Sequence, residues 1–446
     1  MIRSLAAVGA AALLSSFVHV PAFAAVVGAS TVSSLQAALD NARPGQRIVL
    51  AEGVHLADKP IKITKSGITV AARTAGGTVF TRGGFELGAV RDVTIEGFVF
   101  DGTSTLTVPV EAQATRITRN TYNGNKDGAS LTVSADDVQV DHNTFSNRSN
   151  EGVYLQVTGP GSEIAKRTWI HHNHFYNHSF TGTNGGESIR LGYSHKQSKS
   201  AYAVIEHNLF EKANGDSEAI SVKASDNTVR FNTIRDSKGY IVLRHGNRTT
   251  VEGNLLFGSG IRFHGNDHRV FNNYVQNTGD RAIVFGKGSE TDSGPASTSH
   301  DRPDRVTVAF NTLVGTGAVV DSDTGTYAPK DCVLANNVIQ GSSSKLIDMM
   351  SGSTVGYEGN IVWGGTAGIP SGYRSVDPKL VRDANGLLRL SSGSPAIDAS
   401  AGSNSYVTRD FDPQSRSGKP DVGADEYSSS AVRKPLTKSD VGASAP

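Results

Sequence analysis

VQVDHNTFSN, residues 138–147, alternates apolar and polar side chains up to a corner at Asn143, then starts a second short strand around Phe145. The same phrase recurs as TRITRNTYNG around Asn120, TWIHHNHFYN around Asn173, AVIEHNLFEK around Asn208, NTVRFNTIRD around Asn232 and TTVEGNLLFG around Asn254. HRVFNNYVQN holds Asn273, VTVAFNTLVG holds Asn311, CVLANNVIQG holds Asn337 and VGYEGNIVWG holds Asn360. These asparagines are 23, 30, 35, 24, 22, 19, 38, 26 and 23 residues apart, a base period near 22 with insertions at three places. Self-similarity at a fixed period of this size is the signature of a solenoid.

A period near 22 with three short strands per turn predicts an all-β fold, a single-domain right-handed parallel β-helix. No single rung can bury its apolar face, but rungs stacked about 4.8 Å apart can. The recurring asparagine is expected at a corner, in the left-handed conformation, with its amide bonded to the asparagine one rung away. A leucine-rich repeat would need a regular leucine pattern with helices between, and neither is present. The open ends of a solenoid need caps. Residues 33–41, SSLQAALDN, predict an N-terminal helical cap started by Ser33 or Ser34, with Leu35, Ala38 and Leu39 as its apolar stripe. From Gly364 onward the asparagine phrase is missing, and the stretch through KPDVGADEY is expected to form an extended cover. Residues 428–446 are rich in Ser, Ala and Lys, which predicts a disordered tail.

Composition agrees with a turn-rich solenoid: glycine is 49 of 446 residues while proline is only 15, so collagen is excluded. The single cysteine, Cys332, excludes a disulfide scaffold and a cysteine-built zinc site. Lys+Arg at 43 against Asp+Glu at 42 leaves a net charge of +1, so no global field draws the chain to nucleic acid. Residues 1–24 read as a secretory signal peptide: Arg3, an apolar stretch from Leu5 to Val20, and Ala22-Phe23-Ala24 as the cleavage site, with the cut after Ala24. No later stretch reaches the roughly 18 apolar residues of a membrane span. The expected organisation is a signal peptide at 1–24, a β-helix domain at 25–427 and the tail at 428–446. The mature protein is expected to be a monomer in the periplasm or the medium.

Strand alternation places the chemistry. In AISVKAS, Ile220 and Val222 point inward and Lys223 outward. In YIVLRHG, Arg244 points outward and His245 follows at the strand end; Arg262, His264 and Arg190 point outward in their own strands. Lys223 lies 9 residues before Asn232, Arg244 lies 10 before Asn254, and Arg262 and His264 lie 11 and 9 before Asn273. These residues are therefore expected in one outer column, with Lys223 and Arg244 on adjacent rungs. Like charges so close lower a lysine pKa, and a neutral amine is what a general base requires. Asp216, Glu218, Asn184 and Glu187 sit beside the column, an oxygen-rich set suited to Ca²⁺. Tyr193 and Tyr154 are candidates for sugar contact. His171, His172 and His174 have suggestive spacing, but alternation puts them on different faces.

NGGESIRLGYS (184–194), SEAISVKASDNTVRFNT (217–233), GYIVLRHGNRTTVEGN (239–254) and RFHGNDHRVFNNY (262–274) together resemble polysaccharide lyase family 6, which holds alginate lyases and chondroitinase B. The resemblance spans essentially the whole mature chain. It implies β-elimination on an acidic polysaccharide, most often alginate. Lys223 would take the C5 proton. Arg244 would be the acid, or the charge stabiliser, at the glycosidic oxygen. Asn184, Asp216 and Glu218, with Glu187 as a fourth candidate, would hold calcium to neutralise the substrate carboxylate. Arg190, Tyr193, His245, Arg262 and His264 would bind the polymer. A dermatan sulfate or chondroitin lyase of the same family is the alternative substrate reading. A β-helical glycoside hydrolase would need paired carboxylates flanking the scissile bond, whereas the outward column is basic. A non-catalytic polysaccharide-binding adhesin would not require a Lys/Arg pair in register beside carboxylates.

Overall fold

The computed structural model describes residues 25–446 apart from Thr278, Asp280, Ser293, Asn404 and Ala431. The proposed signal peptide lies outside the described residues. Three long parallel sheets build the molecule. Sheet I has 14 strands, from Val26–Ala29 to Val355–Glu358; sheet II has 14, from Gly53–Leu56 to Tyr373–Ser375; sheet III has 10, from Leu106–Val108 to Ile347–Asp348. Each rung gives one strand to each sheet in turn, as Val204–Glu206, Leu209–Ala213 and Glu218–Lys223 do. The fold is the parallel β-helix that the repeat predicts.

The core follows from the period. Ile205, Val229, Val251, Val270 and Val308 pair in register down the inner face of sheet I and are fully buried. On the inner face of sheet II, Phe100, Tyr122, Phe145, Phe175 and Phe210 stack with ring centroids 4.9, 4.8, 4.9 and 4.8 Å apart. That separation is the strand spacing itself, so identical rung positions bring like side chains face to face.

The ladder asparagines occupy the corner between sheets I and II. Each Oδ1 accepts from the side-chain and backbone N–H of the asparagine one rung before, as in Asn208 to Asn232, 3.0 Å for both bonds. The chain of side-chain amides runs unbroken from Asn120 to Asn360. One detail differs from the sequence expectation. The left-handed residue is the one before each asparagine: Arg119, His142, His172, His207, Phe231, Asn272, Phe310 and Asn336 all have φ between 51° and 57°, and Gly253 and Gly359 fill the other corners. The asparagine is needed for its amide, which also caps the carbonyl two residues back, and not for backbone freedom. The left-handed sites on neighbouring rungs bring His142, His172 and His207 into a stack at 5.1 Å spacing. His171 Nδ1 lies 2.8 Å from His172 Nδ1. Among the described residues no third metal-type donor converges there.

The N-terminal cap is a helix, Val32–Asp40, that buries Leu35 and Leu39. Its cap residue is Thr31, because Ser34 serves as the reciprocal partner three residues on in a capping box. No helix among the described residues is long and apolar enough to cross a membrane. The cover after Gly364 packs Leu387, Phe411 and Ala424 on Leu255 and Tyr274, on the outer side of sheet II. The segment expected to be disordered is instead a strap. Arg433 lies 4.9 Å over the Phe231 ring and donates to Gly253 O; Leu436 N reaches Thr233 Oγ1, and Lys438 lies 4.7 Å over Tyr176. Gly442 N donates to His172 O at 2.8 Å, Ala443 N donates to Thr144 Oγ1, and Ala445 O accepts from Arg119. Composition misjudged this segment because its anchors are backbone hydrogen bonds and cation–π contacts, which need few apolar residues.

Candidate active site

The outer row of sheet III carries Gln156, Arg190, Ser221, Val242, Arg262, Val284 and Asp321 in register. The strands Glu218–Lys223 and Tyr240–His245 pair with two irregularities. Val222 faces Leu243, but Lys223 faces His245. Arg244 is therefore a bulged residue that faces no single partner, and bulges re-aim side chains near functional sites. Strict alternation puts Lys223 and Arg244 opposite each other; the bulge instead sets Lys223 opposite His245, with Arg244 beside the pair.

Lys223 is nine-tenths buried, with Nζ 3.5 Å from Glu187 Oε1. Burial lowers its pKa most, Glu187 and Glu218 oppose that, and Arg190 and Arg244 add to it. The like-charge effect expected from the sequence is present, but it ranks below burial. Glu187 is fully engaged: Arg190 grips it through Nε at 2.9 Å and Nη2 at 2.6 Å. Burial works to raise its pKa, but these hydrogen bonds and the charges of Arg190 and Lys223 hold it below the usual carboxylate range. Arg244 pairs with Glu218. Arg262 pairs with Asp323, which Arg281 also contacts at 2.7 Å. The cations of this face are thus matched, group by group, by buried or half-buried carboxylates.

The four proposed calcium ligands divide. Glu187 is committed to Arg190 and Lys223 and offers no spare oxygen. Glu218 Oε2 is buried with no hydrogen-bond partner among the described residues. Asp216 Oδ2 accepts from Gly185 N at 2.9 Å and Gly186 N at 3.4 Å, while its Oδ1 meets only the Ser217 hydroxyl at 3.2 Å. Asn184 is exposed on the adjoining turn. The orphaned Glu218 oxygen, two residues along the chain from the Asp216 carboxylate, suits a hard divalent cation, since such ions take oxygen donors.

Three histidines pack together on the C-terminal side of Lys223. His300 stacks between His245, at 4.8 Å, and His264, at 4.4 Å. Burial, then neighbouring cations, push His245 down to about 3 and His300 to about 4, and drive His264 well below its ordinary value. All three imidazoles are neutral at pH 7, so His245 and His264 are hydrogen-bonding groups and not cations for a carboxylate. His300 sits in the insertion between Asn273 and Asn311; only the length of that insertion hinted at a groove wall. Tyr193 borders a cavity of about 500 Å³ with Arg190, Gln156 and Thr132, immediately N-terminal of Lys223. Tyr154, the other aromatic candidate, lies in the core with its hydroxyl donating to Tyr176 O at 2.9 Å, so it supports the fold and contacts no ligand.

Comparison with known proteins gives three findings. A family model described as chondroitinase B matches residues 29–344. No curated protein sequence matches the chain. Among solved structures, a mutant of the PL6 family alginate lyase AlyGC is 25% identical, with a TM-score of 0.74 over 83% of this chain and 56% of that one. A mannuronic acid specific polysaccharide family 6 lyase from human gut microbiota is 23% identical, with a TM-score of 0.72 over 79% of this chain and 91% of that one. A PL6 alginate lyase in complex with a trisaccharide is 20% identical, with a TM-score of 0.68 over 83% and 92%. The chain spans less than two thirds of the length of the AlyGC structures it matches.

Proposed function

The chain belongs to polysaccharide lyase family 6, the family of chondroitinase B, and from that premise we propose that it cleaves a uronate-containing polyanion, alginate, by β-elimination. The observation that carries the reading is Lys223: a buried amine among Glu187, Arg190 and Glu218, its pKa lowered, with Arg244 bulged beside it. Structures described as alginate lyases share the fold, which favours alginate over dermatan sulfate.

The chemistry requires each of these groups. The C5 proton of a uronate is held tightly because its removal puts a second negative charge beside the carboxylate. Neutral Lys223 accepts that proton. The C5–H electrons form the C4=C5 double bond as the C4–O bond breaks. Arg244 stays protonated at any working pH, so it stabilises the departing oxygen by charge and hydrogen bond, with water completing protonation. Arg190 and Arg262 orient neighbouring carboxylates, and the neutral His245 accepts from a sugar hydroxyl. Because carboxylates already match the cations, the groove has little spare positive charge once Lys223 is neutral. Calcium held by Asn184, Asp216 and Glu218 would supply that charge at the substrate carboxylate. A leader peptide at 1–24 would deliver the enzyme to the periplasm or medium, where such polymers are met.

Purified protein incubated with alginate is expected to generate the ultraviolet absorbance of an unsaturated uronate, with dermatan sulfate giving none. Signal on dermatan sulfate alone would exchange the substrate, and no signal on either polymer would remove the lyase reading. Thorough chelation is expected to lower the rate, and added Ca²⁺ to restore it. A rate indifferent to chelation would take the metal out of the proposal.

The pH profile has a definite sign. Activity needs neutral Lys223, so kcat/KM rises with pH through the lysine pKa of the free enzyme. Burial sets that midpoint below lysine's ordinary value of about 10.4. Glu187 favours the charged amine, so Glu187→Gln should move the rising limb to lower pH. A limb that stays put would mean another group controls it.

A further inference from the structure

We infer that His300 is a positioning residue, which holds the groove wall of residues 286–305 against the reaction centre and fixes the tautomer of His245 beside Lys223. This rests on the lyase reading of the groove. The ring of His300 is intercalated between His245 and His264, which belong to successive rungs of sheet III. Both outer rings also bond to the wall itself. His245 Nδ1 lies 3.1 Å from Ser299 O, and His264 Nδ1 lies 3.1 Å from Lys287 O. A carbonyl only accepts, so each Nδ1 carries the proton and each Nε2 keeps its lone pair. His268 holds the opposite arrangement: Nδ1 accepts from Thr249 N at 3.0 Å and Nε2 donates to His264 O at 2.7 Å.

The wall is fastened at other points too. Gln197 Nε2 donates to Ser297 O at 2.6 Å, and Gly265 N donates to Asp301 O at 3.1 Å. Gly286, where the wall begins, lies so close to the His264 ring that a β-carbon would collide with it. Among the described residues His300 is the wall side chain whose ring stacks on both imidazoles. Without it, the His245 ring loses its stacking partner and is free to turn, and Nδ1–H and Nε2–H forms compete. With it, the atom presented beside Lys223 is an acceptor. A sugar hydroxyl can donate to that atom, whereas a carboxylate cannot.

The test uses the full mature protein and two variants. Long-range ¹⁵N–¹H NMR at pH 7 on the wild type should find His245 and His264 as Nδ1–H tautomers. In His300→Ala the His245 signals should become a tautomer mixture, while His300→Phe, which keeps a stacking ring, should retain Nδ1–H. In kinetics on alginate, His300→Ala should raise KM about tenfold with kcat less affected, and His300→Phe should return KM to within about threefold of wild type. An Nε2–H or protonated His245 in the wild type overturns the inference, and so does wild-type KM in His300→Ala. A Phe variant as impaired as Ala also overturns it, since the ring nitrogens and not the stack would then matter. The NMR arm needs no turnover, so an inactive wild type with the expected tautomers would remove the lyase reading and leave the positioning of His245 standing.

Discussion

Lys223→Ala is expected to lower kcat by about 10²–10⁴-fold, the usual contribution of a positioned general base, while the β-sheet circular dichroism stays that of the parent. The fold should tolerate the change because Lys223 supports little of it. Among the described residues its ion pair is to Glu187, at 3.5 Å, and Glu187 keeps both hydrogen bonds from Arg190 when the amine is gone. The neighbours on its strand that build the core, Ile220 and Val222, are untouched. Lys223→Arg should be nearly as inactive, because a guanidinium cannot be deprotonated at working pH. Loss of the β-sheet signal would make Lys223 a structural residue. Substantial turnover in Lys223→Ala would place the base elsewhere.

The largest effect on stability is expected at Asn232. Alanine there removes the acceptor for Asn208 N and Asn208 Nδ2 and the donor to Ile205 O, all fully buried. At about 1–3 kcal/mol for each buried group left unpaired, the loss should be about 3 kcal/mol or more in denaturant unfolding. Asn385→Ala, on an exposed turn and with no side-chain hydrogen bond among the described residues, should change stability by no more than about 0.5 kcal/mol. Equal effects at the two positions would mean that the ladder contributes little.

The contrast between these two sites explains what was legible in the sequence. The fold was readable because one local rule, the asparagine phrase, repeats on ten rungs, and translational repetition turns a local rule into a global one. The outward facing of Lys223 and Arg262 was readable from alternation, but their single column was not: Arg262 shares its row with Ser221 and Val242, two residues before Lys223 and Arg244. The bulge at Arg244 was not legible either, since it depends on where the register of two paired strands shifts. The pairing of each cation with an acid was hidden for another reason: Asp323 and Arg281 come from later rungs, and sequence distance says nothing about who meets Arg262. His300 sits in an insertion with no period at all. The strap escaped because compositional signals for disorder measure the lack of apolar side chains, and the strap is held mainly by its backbone.

That strap changes how the solenoid should come apart. A stack of rungs that touch only their neighbours can fray from an end, one rung at a time. Residues 433–445 clip together rungs from Asn254 back to Asn120. Peeling any rung in that span first requires the clip to open, so the central block holding Lys223 should resist proteolysis as a unit. The clip also follows, along the chain, every rung that it joins. The block can therefore assemble rung by rung during synthesis and be locked only after residues 433–445 have emerged.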